Sequence, residues 1–267
     1  MLLEVKNINI SFKKENQKTI FGKERQKVVK NVSLSLKKGE CLGIIGESGS
    51  GKSTLGKSLI GLLKPDNGSV YIDGIDIYNT TREQRKKIQQ IISIVFQDYT
   101  SSANPRFLVK DIIGESLKVL ERKIGKKIDR YSKTKELLET VGLNENFMNR
   151  YPHELSGGQL QRVCIARAIA IEPQFILLDE AISSLDASTQ TQIMDLLKEL
   201  QNKYKLSYIF ITHDLPSVTY MCDRVLFFYE GEIVEEVNDI YKLSEVKNLY
   251  AKRLLNSILE IKIDDKK

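Results

Sequence analysis

The sequence predicts an α/β fold built on a mostly parallel sheet. Three observations carry this expectation. Short apolar runs of strand length alternate with stretches of helical periodicity through much of the chain. One such run, Cys41-Leu42-Gly43-Ile44-Ile45, leads straight into Gly46-Glu47-Ser48-Gly49-Ser50-Gly51-Lys52-Ser53-Thr54 and then into a helical pattern. Another, Phe175-Ile176-Leu177-Leu178, ends in the carboxylate pair Asp179-Glu180. Glycines at a strand-to-helix turn, and acidic residues at a strand's carboxyl end, place a ligand crevice along one edge of a parallel sheet.

Taken in order, Leu3–Phe12 and Val28–Leu36 alternate in polarity and predict early antiparallel strands, a small β-rich part ending near residue 38. Between them, residues 13–30 carry seven Lys/Arg against two Glu. That excess predicts a solvated loop, with contact to anionic lipid or nucleic acid as the alternatives; no aromatic interleaving favours nucleic acid. The strand 41–45 follows, then a helix from Lys52 with Leu55, Leu59, Leu62 and Leu63 on one face. Lys64–Gly68 reads as a turn, Ser69–Ile72 as a short strand, Arg82–Gln90 as a basic helix, and Ile91–Phe96 as a buried strand ending at Gln97. Residues 98–156 are rich in helical pattern and read as an inserted helical subdomain. Ser156 stands where an N-cap belongs, ahead of a helix Gln159–Ile171 with Leu160, Val163, Cys164 and Ala168 at helical spacing. A helix 187–203 and strands 207–212 and 224–229 complete the core. Residues 237–267 form a tail with an amphipathic stretch Val246–Leu259.

Composition sets limits. A chain of 267 residues suffices for one large domain with a real core. No apolar run approaches the ~18 residues needed to span a bilayer, and the N-terminal residues Met1–Lys6 lack a signal-peptide pattern. A cytosolic chain is expected, with any membrane-spanning part on another chain. Cys41, Cys164 and Cys222 are dispersed in apolar surroundings and read as core residues, with neither metal spacing nor a disulfide framework. The formal net charge of +6 is concentrated in residues 13–30.

The segment 46–54 fits G-x-x-x-x-G-K-[ST], a phosphate-binding loop. Gly46, Gly49 and Gly51 let the backbone curl with its N–H groups inward, and the following helix N-terminus adds its dipole. Lys52 is placed to reach β- and γ-phosphates and the Ser53 hydroxyl to ligate Mg²⁺. Leu155-Ser156-Gly157-Gly158-Gln159 is a second glycine-containing helix start, weak alone and strong when Phe175–Glu180 follows it. Asp179 then stands where a phosphate-loop protein keeps its Mg²⁺ carboxylate.

The order of these segments, with Gln97 in Val95-Phe96-Gln97-Asp98, Ser184-Leu185-Asp186 and Thr212-His213-Asp214, resembles the ATPase subunit of an ABC transporter over roughly residues 1–236. The resemblance implies ATP and Mg²⁺ as cofactors, a P-loop ABC ATPase fold with an N-terminal antiparallel β subdomain and a helical subdomain at about 98–156, and a short C-terminal extension at 237–267. It further implies that Gly46, Glu47, Ser48, Gly49, Ser50, Gly51, Lys52, Ser53 and Thr54 hold the nucleotide. Ser53, Gln97 and Asp179 would serve Mg²⁺, with Gln97 also contacting the catalytic water and coupling the site to the membrane subunits. Glu180 would polarise the attacking water, His213 would touch the γ-phosphate, and Asp186 would cross a dimer interface. Ser156, Gly157, Gly158 and Gln159 would contact ATP held by a second copy's P-loop. Phe12 and Phe21 are alternative candidates for stacking on adenine, with core packing open for both; His153 reads as structural.

Partners are implied too: a related second ATPase subunit in a heterodimer, two integral membrane permease subunits and an extracytoplasmic solute-binding protein, with this chain peripheral on the cytoplasmic face of the membrane and no nucleic acid partner. The stretches Phe96–Arg106, Gly46–Gly51, Tyr151–Glu154 and Leu249–Leu255 are similar to the oligopeptide, dipeptide and nickel importer group. Within it, Gln159–Cys164 and Asp179-Glu180-Ala181 look more like nickel-import subunits, because peptide-import subunits usually carry proline where this chain has Ala181. The expectation is import of nickel or a metal–chelator complex, with oligopeptide or dipeptide import as the alternative and a non-transport ABC ATPase as a third reading.

Overall fold

The computed structural model describes residues 1–13, 25–98 and 102–264, with side chains to residue 256. It divides into two compact units, one of residues 1–81 and 209–267, the other of residues 82–208.

The first unit opens with β1 (Leu3–Lys13) and β2 (Arg25–Leu36), paired antiparallel. β1 also pairs antiparallel with β4 (Asn67–Ile72), which pairs with β5 (Ile75–Asp76), giving the order β2-β1-β4-β5. Leu3 and Val5, then Ile8 and Ile10, are buried; the period-two alternation shifts by one residue between Val5 and Ile8, where the pairing register slips and Asn7 turns left-handed at φ +50°. β2 begins at Arg25, so residues 25–30 of the basic stretch are strand rather than loop. Its remainder, residues 14–24 with Phe21, lies outside the described residues.

β3 (Cys41–Ile45) is buried throughout and pairs in parallel with β9 (Arg224–Tyr229). Sheet neighbours on either side are β10 (Glu232–Val237), antiparallel to β9, and β8 (Ser207–Thr212), whose first two residues belong to the second unit. Such continuous apolar runs mark strands covered on both faces. Arg224 donates to Glu40 Oε1 at 2.8 Å, and also to Glu236 and the Ser35 carbonyl, so its buried guanidinium is paired.

Helix α1 (Lys52–Leu59) is shorter than its leucine spacing predicts. Gly61 turns left-handed at φ +80°, and Gly61 and Leu62 N–H donate back to the Ser58 and Lys57 carbonyls, which closes the helix. Leu62 is consequently 62% exposed instead of joining the buried face of Leu55 and Leu59. The unit ends with α7 (Leu215–Met221), a 3-10 segment Ile240–Glu245, and α8 (Leu249–Asp264), which starts three residues after the predicted Val246; the helices between α1 and α7 in chain order belong to the second unit.

In the second unit, α2 (Arg82–Gln89) precedes β6 (Ile92–Phe96). β6 was expected to be a buried strand, yet within it only Val95 is buried. α3 (Val109–Ile124) and α4 (Arg130–Thr140) follow, then 3-10 turns at Glu145–Asn149 and Pro152–Glu154; residues 102–156 hold no strand among the described residues. α3 ends at Gly125, left-handed at φ +72°, and α4 starts under the Asp129 carboxylate, which accepts from Tyr131 and Ser132 N–H. α5 (Gly157–Ile169) leads to β7 (Phe175–Asp179), buried along its length and parallel to β6, and α6 (Ala187–Tyr204) completes the unit. The cysteines are core residues as expected, with Cys41 and Cys222 sulfurs 3.6 Å apart and Cys164 near the Ser102 hydroxyl. Tyr151 and His153 rings stack at 5.5 Å, in keeping with a structural His153.

Candidate functional site

In the first unit, the loop 46–51 leaves the carboxyl end of β3 and enters α1. Gly46 is buried, and a Cβ there would lie 2.0 Å from the Phe228 carbonyl oxygen of β9. Gly49 and Gly51 hold φ of +78° and +105°, and a Cβ on Gly51 would lie 2.6 Å from the Val28 carbonyl oxygen of β2. The chain must therefore be bare where the loop presses on its neighbours, which holds the backbone in a tight curl against the sheet. Lys52 is buried, with Nζ 2.7 Å from both the Gly46 and Glu47 carbonyl oxygens and 3.4 Å from Ser50 Oγ. An ammonium held over a curled backbone at a helix N-terminus is a cradle for a phosphate chain, and the residues present fit a nucleotide triphosphate. Ser53, Mg²⁺ candidate, is the second residue of α1, with Thr54 next to it.

The space at Gly46 yields a prediction. Gly46→Ala is expected to lower unfolding free energy by about 2–3 kcal/mol, since backbone has to shift around the new methyl. Gly49→Ala meets nothing within 4 Å and carries only the left-handed backbone strain, about 1–2 kcal/mol. Chemical denaturation of the two variants checks this; a larger loss at position 49 would show that the Phe228 contact does not limit the site.

His213 is exposed and is the first residue beyond β8, which neighbours β3 in the sheet. Asp214 behind it caps α7, accepting from Ser217 N–H at 2.8 Å. Phe12 lies near the end of β1 opposite Gln26 and is 44% exposed, which removes core packing as its role.

In the second unit, the register of β6 and β7 pairs Phe96 with Asp179. Gln97 and Glu180 thus leave the sheet side by side, at the carboxyl ends of adjacent parallel strands, an arrangement that neither segment reveals alone. Asp179 is buried and Gln97 exposed. Glu180 adopts a left-handed φ of +48°, a conformation that costs a non-glycine residue about 1–2 kcal/mol. Ser183 holds it there, donating from its hydroxyl at 3.0 Å and its N–H at 3.2 Å to the Glu180 carbonyl oxygen.

Ser156 begins α5 with a reciprocal cap. Its hydroxyl accepts Gln159 N–H at 3.3 Å, and Gln159 Oε1 accepts Ser156 N–H at 3.0 Å. A Cβ on Gly158 would lie 2.6 Å from Thr189 Cγ2, so this glycine lets α5 approach the first turn of α6. Asp186 caps that turn, taking Thr189 N–H at 2.9 Å and the Thr189 hydroxyl at 2.7 Å; those bonds hold its carboxyl below the usual range. Two glutamines that sequence reading left without a role tie the pieces together. Gln161 Nε2 donates to the Ala181 carbonyl oxygen at 2.6 Å, and Gln190 Nε2 donates to those of Ile182 and Leu185. Gln161 therefore ties α5 to the residue after Glu180, and Gln190 ties α6 to the loop that leads into Asp186, all within this unit.

Sequence reasoning also assigned no role to Tyr250 of α8, whose hydroxyl accepts the Glu47 N–H of the phosphate loop at 2.9 Å. Its signal is the stretch Leu249–Leu255, which sequence reading noted only for its family likeness.

Comparison with known proteins adds the following. A family model described as ABC transporter matches residues 29–183. The oligopeptide transport ATP-binding protein OppF of Haemophilus influenzae is 42% identical over 260 residues, 97% of this chain and 78% of that protein. OppF of Bacillus subtilis is 43% identical over 263 residues, 96% of this chain and 82% of that one. Among solved structures, a dimeric ATP-binding cassette in a post-hydrolysis state with ADP and Pi is similar at a TM-score of 0.75 and 33% identity, covering 88% of this chain and 97% of the other.

Proposed function

The chain belongs to the ABC transporter family as an ATP-binding subunit, an ATPase that uses ATP and Mg²⁺ to drive transport, and from that premise we propose that it powers import of oligopeptides. The observation that carries the substrate class is identity above 40%, over nearly the whole chain, to proteins named for oligopeptide transport. The residues that lean toward nickel are Leu160, Cys164 and Ala181, which are 3%, 1% and 1% exposed. They are packing residues with no route to a transported solute. Peptide import accordingly replaces nickel import as the main reading.

The proposed roles follow from the chemistry of each group. The backbone N–H groups from Gly49 to Thr54 and the Lys52 ammonium receive the phosphate chain. Ser53, Gln97 and Asp179 are the residues that would hold Mg²⁺, which when bound neutralises phosphate charge and polarises the phosphoryl group. Glu180 orients the attacking water and accepts its proton, the strained backbone aiming the carboxylate. His213 supplies a hydrogen bond to the γ-phosphate, and Phe12 an aromatic face for adenine. Ser156, Gly157, Gly158 and Gln159 form a second phosphate-facing helix start. We assign it to ATP held by another copy or a related ATPase subunit, with Asp186 at the interface. ATP then joins two subunits and hydrolysis releases them, a two-state element biased by phosphate contacts.

No helix of the described residues is long and apolar enough to cross a membrane. The importer family implies membrane permease subunits as partners. A heterodimer with a second ATPase, a solute-binding protein outside the membrane, and a seat on the cytoplasmic face complete the proposal, with domain limits of 1–236 for the ATPase and 237–267 for the extension.

Deletion of this subunit tests the substrate. Uptake of a radiolabelled short peptide is expected to fall to background, and restoration of the chain to recover it. Nickel uptake, with or without a chelator, is expected to stay within about twofold. Loss of nickel uptake with peptide uptake intact would return the nickel reading.

A further inference from the structure

The α8 helix lies beyond the segment that the family model matches, yet it reaches the phosphate loop. Tyr250, the second residue of α8, accepts the Glu47 N–H at 2.9 Å through its hydroxyl. Its ring packs on Tyr229, at the end of β9, with centroids 4.3 Å apart. The helix start itself is fixed. Glu235 of β10 accepts the Lys247 and Asn248 N–H groups at 2.7 and 2.8 Å, and the Asn248 side chain accepts Tyr250 N–H at 2.8 Å. Ala251 is fully buried. A cleft of 620 Å³, lined in part by Glu47, Tyr229, Asn248, Tyr250 and Arg253, adjoins this contact.

We propose that Tyr250 is a positioning residue: through its hydroxyl, the C-terminal helix clamps the first turn of the phosphate loop and sets its affinity for nucleotide phosphates. The inference rests on the reading of residues 46–54 as the phosphate site. Glu47 is exposed and follows Gly46, the point where the loop leaves the sheet. A hydrogen bond at this residue restrains the peptide that leads into Gly49 and Gly51, while Lys52 crosses over the same Gly46 and Glu47 carbonyls from the other end of the loop. Tying both ends lowers the ordering cost of phosphate binding. Burial pushes the Tyr250 phenol up, so it stays neutral and accepts the N–H while retaining its own proton.

Tyr250→Phe keeps the ring against Tyr229 and removes only the acceptor. With the full chain, calorimetric titration is expected to show MgATP and MgADP binding weakened about 3- to 10-fold, while adenosine binding and the nucleotide-free melting temperature stay unchanged. Hydrogen exchange of the Glu47 amide is expected to speed up by a similar factor. A purely structural role would move the melting temperature and adenosine binding together with ATP binding. Unchanged MgATP affinity and unchanged Glu47 exchange in Tyr250→Phe would overturn the clamp. Lys52→Ala separates the underlying reading: wild-type chain that binds MgATP no better than this variant overturns the phosphate site itself.

Discussion

Glu180→Gln is expected to bind ATP like the wild type and to hydrolyse it about 10²–10³-fold more slowly, the range for losing a positioned general base. The amide matches the carboxylate in size and leaves the backbone untouched. Ser183 grips the Glu180 carbonyl and not its side chain, so the left-handed φ of +48° survives the change. The phosphate loop belongs to other residues and its nucleotide affinity is unaffected. ATP therefore accumulates unhydrolysed, and a proposed dimer joined by ATP persists. Single-turnover hydrolysis of radiolabelled ATP, with size-exclusion chromatography in ATP, reads both consequences. Wild-type turnover in the variant would remove Glu180 from the role of base.

The central strands of the core were legible because they are buried on both faces. Cys41–Ile45, Phe175–Asp179 and Ser207–Thr212 are continuous apolar runs that only a covered parallel sheet accommodates. The Ser156 and Gln159 pair was legible for a local reason, since a capping box is written in neighbouring residues. Other elements were not. β10 carries Glu232, Glu235 and Glu236 and looks like solvated loop, yet it is an edge strand whose outward positions tolerate charge. α7 has Pro216 in its first turn and β-branched residues in its body, a poor helical signature redeemed by the Asp214 cap. α1 stops early because the left-handed Gly61 outweighs a leucine spacing that would have carried it on to Leu63.

The candidate site divides the same way. The phosphate loop could be recognised from residue types alone, since its glycines are needed for a backbone shape. Contacts between distant segments could not: the Phe96–Asp179 register that puts Gln97 beside Glu180, the Gln161 bond to the Ala181 carbonyl, and the Tyr250 hydroxyl on Glu47 each join segments whose sequences carry no mark of one another. The lean toward nickel carries little weight for a related reason. Leu160, Cys164 and Ala181 answer to packing around the α5 helix and β7, and a residue chosen by packing says little about what another chain transports.

Ser156→Arg addresses the claim that each ATP is shared between two subunits. Ser156 is exposed, so the larger side chain leaves the core intact and gives up one helix cap, worth about 1 kcal/mol. The bulky guanidinium occupies the place proposed for the other subunit's phosphate, and displacement of a reacting group by ångströms costs on the order of 10²-fold in rate. The most direct measurement is photoaffinity trapping of azido-ATP in the assembled transporter, with the two ATPase subunits distinguished by tags of different size. With Ser156→Arg in this chain alone, trapped label is expected to remain on this chain's own phosphate loop and to be lost from that of its partner subunit. Label lost from this chain's own loop, with the partner's labelling unchanged, would contradict the shared site.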